Sequence, residues 1–260
     1  MSELLQTVRE GRVLNLTLNR PAKRNALNTE LCGALVEALE AASRDRSVGA
    51  VLLTAEGNCF CAGMDIAEIA AGGNSTQMNA LHEQLFTAWM RIEKPIVAAI
   101  DGAALGGGTG LVANCHVAVA SPNATFGLTE IRLGLWPFLV FRAVTAAVGE
   151  RRAVELALTG RIVPAAEALQ LGLVHEIAAD VRTRAGEIAR ALSEASPTAI
   201  QSGLSFIQQV RGMDWEKTGE VARLVREDVF SSDDFVEGVR AFLEKRPPQW
   251  PSLGDSDVLP

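Results

Sequence analysis

The sequence predicts an α/β fold, in which strands and helices alternate and pack in layers, followed by a purely helical region. Three observations support this class. Apolar runs typical of strands alternate with segments of helical spacing up to residue 177. From residue 181 onward, only amphipathic helical patterns remain. The length of 260 residues suits one large domain, or a core with a smaller appendage.

The first elements are a hairpin, a helix and a strand. Two strand-like segments, residues 4–8 and 14–18, flank a short charged turn and predict an opening β-hairpin. Asn28 or Thr29 is suited to cap the first helix, because the side chains of both accept hydrogen bonds from amides of a first turn. The apolar run at residues 48–54 predicts a buried strand.

Two later turns share one design, in which a strand leads through small residues into a helix. The first lies at residues 62–65, and the second, residues 105–108, ends a small-residue turn predicted over residues 101–108. Glycine there lets a ligand touch bare peptide, and the first amides of a helix can hold an oxygen of developing negative charge. Dinucleotide and P-loop patterns both fail here. A structural, close-packing turn remains the alternative.

The remaining segments divide the chain into two regions. We expect a core over residues 1–195 and a C-terminal helical oligomerisation region over residues 196–260, although a simple cap on the core is the alternative for those helices. Further helices are predicted at residues 77–92, 150–158, 164–170, 182–195, 197–210, 215–230 and 234–244. Two segments of unassigned type, residues 130–134 and 138–148, are separated by Pro137. Further strands are predicted at residues 96–100, 116–120, 124–127 and 174–177.

Composition excludes several functional classes. The formal net charge is −7 and lysine is scarce, so no basic face for nucleic acid is expected. No apolar run is long enough to span a membrane. Residues 1–11 are polar and charged, unlike a signal peptide, and a cytoplasmic location is therefore expected.

Cysteine and histidine do not form a recognisable reactive pattern. The four cysteines lack the spacing of a zinc site, so we expect no metal and buried, reduced thiols. His82 is predicted on a polar helix face, whereas His116 and His175 lie in strand-like runs, and each is expected to be structural. Serine hydrolysis has no support, because the G-x-S-x-G motif is missing.

Five motifs and one glutamate form an ordered set that covers almost the whole chain. Any one motif is weak, but the order is specific. The motifs are NRPAKRNALN (19–28), FCAGMDI (60–66), DGAALGGG (101–108), LTGRIVPAAEALQLGLVHEI (158–177) and EGVRAFLEKRPP (237–248), with Glu130 in FGLTEIRLGL. Together they resemble the crotonase superfamily, the enoyl-CoA hydratases and isomerases.

This resemblance implies a spiral of ββα units followed by a helical trimerisation region, assembled as a homotrimer or a dimer of trimers. It also implies an acyl-CoA thioester substrate whose enolate accepts hydrogen bonds from the peptide N–H groups of Met64 and Gly107. No cofactor is implied, since CoA is part of the substrate. The positions implied to contact substrate or CoA are Arg24, Ala26, Ala62, Asp65, Ile66, Leu105, Phe242 and Lys245.

The carboxylates of the family decide the reaction. One maps onto Glu130, whose apolar neighbours should raise its pKa and suit it to proton transfer. The second carboxylate of two-glutamate hydratases falls at Gly110 and is missing. Phe138 replaces the aspartate of dehalogenases and dienoyl isomerases, and the chain has no tyrosine for naphthoate synthesis. Trp136 and Phe138 either line an acyl pocket or serve packing.

We therefore expect an enoyl-CoA hydratase/isomerase-family enzyme with Glu130 as the single general acid and base. One carboxylate favours moving a proton between C2 and C4 of a 3-enoyl-CoA, which is isomerisation. The alternative is a 2-enoyl-CoA hydratase in which Glu130 binds the water. The non-enzymatic alternative is an acyl-CoA-binding scaffold, which the retention of Glu130 beside both turns disfavours.

Overall fold

The computed structural model describes residues 2–72 and 75–253, and the strands and helices alternate as predicted. The strands are β1 (Leu5–Glu10), β2 (Val13–Leu18), β3 (Ala50–Ala55), β4 (Cys59–Cys61), β5 (Ile96–Ile100), β6 (Ala103–Leu105), β7 (Val117–Ala120), β8 (Thr125–Gly127), β9 (Val163–Pro164) and β10 (Glu176–Ile177). The helices are α1 (Thr29–Arg44), α2 (Ile66–Ala70), α3 (Ser75–Ala88), α4 (Gly107–Asn114), α5 (Phe138–Val148), α6 (Glu150–Thr159), α7 (Ala165–Leu171), α8 (Val181–Ser193), α9 (Pro197–Gln209), α10 (Trp215–Phe230) and α11 (Asp233–Glu244).

The larger sheet has the strand order β1-β2-β3-β5-β7-β10. β1 and β2 form the predicted antiparallel hairpin, with Glu10 paired to Val13 across a turn at Gly11. The other neighbouring pairs are parallel. Such parallel strands need connections that cross over the sheet, and helices supply most of them here.

The two faces of this sheet bury different sets of side chains. In β3, Val51 and Leu53 enter the main core with α1, α3 and α4, whereas Leu52 enters a smaller core on the other face. That second core is closed by Val181 and Ala185 of α8. Because successive strand side chains point to opposite faces, an all-apolar strand such as β3 must be covered on both sides. The sheet therefore lies between α8 on one face and the helices α1, α3 and α4 on the other.

A smaller sheet, with the order β4-β6-β8-β9, corrects the prediction of a turn over residues 101–108. Residues Ala103–Leu105 form β6, which pairs in parallel with β4 and β8, and α4 already begins at Gly107. Pairing with strands more than 20 residues away satisfies the backbone groups of β6. Two alanines and a leucine carry no local pattern that would reveal this pairing.

Several element boundaries also differ from the predictions. Helix α3 ends at Ala88 and a 3₁₀ turn, Trp89–Arg91, follows it within the predicted helix. The segment after β8 forms a 3₁₀ turn at Glu130–Leu133, and the last predicted strand is reduced to Glu176–Ile177. Helix α1 begins as expected, because the Asn28 side chain accepts a hydrogen bond from the Leu31 amide at 3.1 Å.

The C-terminal helices α9 to α11 carry large apolar side chains on their surface. Trp215 is 92% exposed and Phe242 is 83% exposed, while Leu224 and Leu243 are also exposed. The predicted region over residues 196–260 ends outside the described residues, which stop at 253. Helices with apolar faces of this size commonly pack against another surface.

Candidate active site

Two glycine-bearing turns lie side by side where β4 and β6 end. Gly63 has a φ of 91° and follows β4, and Gly106 has a φ of 52° and follows β6. A Cβ on Gly63 would lie 2.8 Å from the Leu105 carbonyl oxygen and 3.3 Å from the Gly107 nitrogen. Both the dihedral angles and this close approach require glycine, because a side chain at Gly63 would keep the two turns apart.

The peptide N–H of Met64 is directed away from the neighbouring backbone. Leu27 pairs with Met64 in a parallel bridge, in which the Leu27 N–H donates to Gly63 O at 2.7 Å. The Asp65 N–H donates to Leu27 O at 3.0 Å. In this pattern, the peptide groups of Met64 itself face the other side. Among the described residues, the Met64 N–H has no backbone acceptor, so it is available to a ligand.

The N–H of Gly107 is the second available donor. Gly107 is the first residue of α4, and the first amides of a helix have no acceptor within that helix. Gly106 precedes it and supplies no side-chain cap. The positive end of the helix dipole adds to the attraction for an anionic oxygen at this point. Gly107 and Met64 both line one cavity of about 210 Å³.

Glu130 is a half-buried residue whose carboxylate lies in the same cavity. It opens the 3₁₀ turn after β8, and its Oε2 atom is buried and has no hydrogen-bond partner among the described residues. Burial raises the pKa of Glu130 above its usual value, as its apolar sequence context predicts. A Cβ on Gly106 would lie 3.0 Å from Glu130 Oε1, so the carboxylate rests against the glycine turn. A carboxylate with a free buried oxygen is suited to take up a proton.

An apolar wall closes the other side of the cavity. Leu133 and Leu135 belong to it, followed by Trp136, Phe138 and Leu139 at the start of α5. The rings of Trp136 and Phe141 lie 5.4 Å apart, while Phe138 is 73% exposed at the rim. The structure therefore places both aromatic candidates, Trp136 and Phe138, in the cavity lining. Such a wall suits a hydrocarbon chain rather than a charged group.

The position of the missing second carboxylate is filled by other side chains. A Cβ on Gly110 would lie 2.6 Å from Val140 Cβ and 3.1 Å from Phe86 Cε1. No side chain fits at residue 110 while Val140 keeps its place. The packing of α4 against α5 thus requires glycine at residue 110, and this glycine also means that the second carboxylate is missing.

The predicted CoA positions divide into two groups. Ala62 and Ile66 line the cavity beside Met64. Asp65 is 6% exposed and is committed elsewhere, because it accepts hydrogen bonds from the Ala67 and Glu68 amides and from Arg20 Nη1 at 2.5 Å. Burial alone would raise the pKa of Asp65, but these hydrogen bonds outweigh it and hold the pKa below its usual value.

Five other predicted positions do not line the cavity. Arg24 and Ala26 form the loop next to the first turn, where Arg24 O accepts a hydrogen bond from the Ala62 N–H at 3.0 Å. Leu105 contacts that turn through its carbonyl oxygen. Phe242 and Lys245 lie on and just after α11, which the cavity does not reach. Their contact with CoA stays a prediction.

The prediction that His82 lies on a polar face of its helix is wrong. It is 4% exposed and lines the cavity, with its Nε2 atom 3.4 Å from Leu27 O. Asn79 and Phe86, on the same face of α3, also line the cavity. The spacing of residues 79, 82 and 86 was the available signal, since residues three or four apart share a helix face. His116 and His175 are structural as predicted, because each accepts a backbone N–H at 3.0 Å through Nδ1.

Features of other site classes are missing from the described part of the chain. Residues 2–72 and 75–253 contain no group of three His, Cys, Asp or Glu side chains that could hold a metal ion. All four cysteines are free and buried, as expected. None of the helices in these ranges has the length and apolar character needed to cross a bilayer. The absence of a cofactor stays a prediction.

The fold and the site together define a class of protein. An α/β fold that brings two glycine turns and one buried carboxylate to a single apolar cavity is what the crotonase resemblance implies. Residues 8–253 match the family model described as enoyl-CoA hydratase/isomerase. The chain therefore belongs to the enoyl-CoA hydratase/isomerase family and is an enzyme of that family.

Similar proteins extend over nearly the whole chain. It is 36% identical to the 2,3-dehydroadipyl-CoA hydratase of Escherichia coli, over 96% of this chain and 99% of that protein. It is also 36% identical to the enoyl-CoA hydratase EchA19 of Mycobacterium tuberculosis, over 93% and 94% of the two chains. The crystal structure of an enoyl-CoA hydratase from Mycobacterium smegmatis superposes with a TM-score of 0.91 at 33% identity, covering 96% of this chain and 99% of that one.

Proposed function

We propose that the protein isomerises 3-enoyl-CoA thioesters to 2-enoyl-CoA thioesters, with Glu130 as its single general acid and base. One observation carries this choice. Among the described residues that line the cavity, Glu130 is the only carboxylate, and Val140 and Phe86 fill the space that a side chain on Gly110 would need. One carboxylate suffices to move a proton along a substrate.

The reaction needs one proton acceptor and one oxyanion site. Glu130 takes the proton from C2, and the electron pair of that C–H bond moves toward the thioester, leaving a dienolate with negative charge on the carbonyl oxygen. Met64 and Gly107 donate their N–H groups to that oxygen. Glu130 then returns the proton to C4, the C3–C4 double bond becomes a C2–C3 double bond, and the carbonyl re-forms. No atom is gained or lost.

Two features of the site support this mechanism energetically. Backbone donors that are already in place stabilise an oxyanion without reorganisation, and loss of one such donor typically costs about 3 kcal/mol. Burial raises the pKa of Glu130, which brings it closer to neutral pH and makes the carboxylate a better base. Among the described residues, the Oε2 atom has no hydrogen-bond partner, so it can accept the proton from the substrate.

The substrate would lie across the two turns. The thioester carbonyl occupies the space between Met64 and Gly107, and the acyl chain runs along the apolar wall of residues 133–140. The pantetheine end passes Ala62 and Ile66, near the loop that holds Arg24. The wholly apolar wall favours an unsubstituted hydrocarbon chain over one that ends in a charged group.

Hydration of 2-enoyl-CoA is the second candidate. The relatives from Escherichia coli and Mycobacterium tuberculosis carry the name hydratase, and they share about a third of their residues with this chain. The polar wall formed by Asn79 and His82 favours a bound water opposite the apolar wall. In this reaction, Glu130 would take a proton from that water while the oxygen adds to C3, and would then give the proton to C2 of the resulting enolate.

Two substrates separate the candidates. With 3-hexenoyl-CoA labelled with deuterium at C2, we expect the 2-enoyl product, with part of the label at C4. With crotonyl-CoA, we expect slower addition of water, which mass spectrometry of the product measures. Rapid hydration of crotonyl-CoA, with 3-hexenoyl-CoA left unchanged, would reject isomerisation in favour of the second candidate.

We also propose that residues 196–260 form an oligomerisation region, giving a homotrimer or a dimer of trimers on a core of residues 1–195. The exposed apolar side chains of α10 and α11, including Trp215 and Phe242, support a buried contact between subunits. Light scattering should give the mass of three or six chains. A stable monomer at micromolar concentration would contradict this assembly.

A further inference from the structure

We infer that His82 is a positioning residue that holds the Met64 N–H in its catalytic direction through the Leu27 carbonyl. This inference rests on the proposed function, because it assigns His82 to the same oxyanion site. His82 does not have to touch the reacting atoms in this role. It acts on the backbone segment that presents one of the two donors.

The protonation of His82 follows from its partner. A carbonyl oxygen can only accept, so the Nε2 atom that lies 3.4 Å from Leu27 O must carry the proton. Burial lowers the pKa of His82, which leaves the ring neutral at pH 7 with Nδ1 unprotonated. A single donor on a ring that is 4% exposed is therefore directed at one backbone atom.

That backbone atom controls the bridge to Met64. Leu27 O accepts from the Asp65 N–H at 3.0 Å and from His82, while the Leu27 N–H donates to Gly63 O at 2.7 Å. These three bonds fix the plane of the peptides on either side of Met64. Since the Met64 N–H faces the opposite way from Leu27, rotation of this bridge would turn the N–H away from the thioester oxygen.

The helix that carries His82 also packs near the second donor. Phe86 follows His82 by one turn of α3, and Phe86 Cζ lies 3.6 Å from the place of a Cβ on Gly107. Leu27 Cδ1 lies 3.0 Å from the same point. Helix α3 therefore approaches Leu27 O through His82 and the Gly107 position through Phe86. Loss of the His82 side chain would therefore alter the orientation of the Met64 N–H, whereas Phe86 would still support the backbone at Gly107.

Three substitutions separate a positioning role from simple packing. His82→Leu fills the volume without a donor. His82→Gln can place its amide N–H near the Nε2 position, whereas the shorter His82→Asn keeps an amide but cannot reach Leu27 O. The reporter is cinnamoyl-CoA, a conjugated acyl-CoA whose absorption moves to longer wavelength when its thioester carbonyl accepts hydrogen bonds.

We expect His82→Leu and His82→Asn to reduce the red shift of bound cinnamoyl-CoA and to lower kcat for 3-hexenoyl-CoA about 10-fold, with KM nearly unchanged. His82→Gln should restore most of both signals. A red shift and kcat equal to wild type in the Asn variant, whatever its thermal stability, would overturn the inference. If the Leu variant fails to fold, the comparison of Gln with Asn still decides. Wild-type protein that binds cinnamoyl-CoA with no red shift would instead reject the oxyanion site of the proposed function.

Discussion

The sharpest test of the mechanism is Glu130→Gln. The amide has almost the shape of the carboxylate, but it cannot accept a proton at neutral pH. If Glu130 is the only acid and base, kcat for 3-hexenoyl-CoA should fall about 10²- to 10⁴-fold, because general acid–base catalysis typically contributes that much. This corresponds to about 3–5 kcal/mol in activation free energy. KM should stay nearly constant, since the thioester still meets Met64 and Gly107.

The same substitution should stabilise the fold in a pH-dependent way. Burial raises the pKa of Glu130 in the folded protein, so the ionised form is less favourable there than in the unfolded chain. Its stabilising contribution is therefore present at low pH and is lost as the pH rises through the folded-state pKa. Gln does not titrate. The free energy of unfolding of the variant, minus that of wild type, should increase from pH 4 toward pH 8.

Stopped assays with 3-hexenoyl-CoA and urea unfolding at several pH values measure the two effects. Glu216→Gln, an exposed position on α10, is the matched control and should change neither. Unchanged kcat in Glu130→Gln would remove the mechanism altogether. A stability difference that is independent of pH would show that the Glu130 carboxylate is better solvated than its buried, unpartnered Oε2 atom indicates.

Other substitutions test the surroundings of Glu130. Gly107→Pro should lower kcat about 10²- to 10³-fold, because it removes the N–H at a first helical position that tolerates proline. Gly107→Ala keeps the N–H and should lose less activity. Equal losses of kcat in the two variants would argue against Gly107 as a hydrogen-bond donor. Gly110→Glu should destabilise the protein by about 1–3 kcal/mol or more against Val140, and adding Val140→Gly should recover stability and raise crotonyl-CoA hydration relative to isomerisation. Asp65→Ala should cost about 2 kcal/mol in urea unfolding, through the lost α2 cap and Arg20 pair, and a change below 0.5 kcal/mol would contradict that role.

The sequence predicted those features that depend on a few neighbouring residues. The opening hairpin, the Asn28 cap and the alternation of strands with helices all follow from local period and hydrogen-bonding chemistry. The glycine turns could be found in the same way, because a run such as residues 106–108 marks backbone that lies close to other groups. Glu130 could be selected because its neighbours are apolar, and the structure buries its Oε2 atom and raises its pKa as that context indicates.

The spacing of Asn79, His82 and Phe86 places them on one helix face, but the tertiary structure was needed to show that this face covers the cavity. A histidine among polar residues of a helix reads as solvent-facing, yet α3 lies over the cavity and turns His82 toward Leu27. Strand β6 is a related case, since its three residues become a strand only through pairing with β4 and β8. In both cases, the partner lies 20 or more residues away in the chain.

The class of fold, the two turns and the single carboxylate could be predicted, because each depends on residue types in short segments of the chain. How these parts act together depends on the folded chain. It brings Gly106 against Glu130 and Gly63 against Gly107, and it fills the space beside Gly110 with Val140. These contacts depend on the close packing of distant segments, where a shift of one ångström decides whether a side chain fits, and no local pattern carries that information.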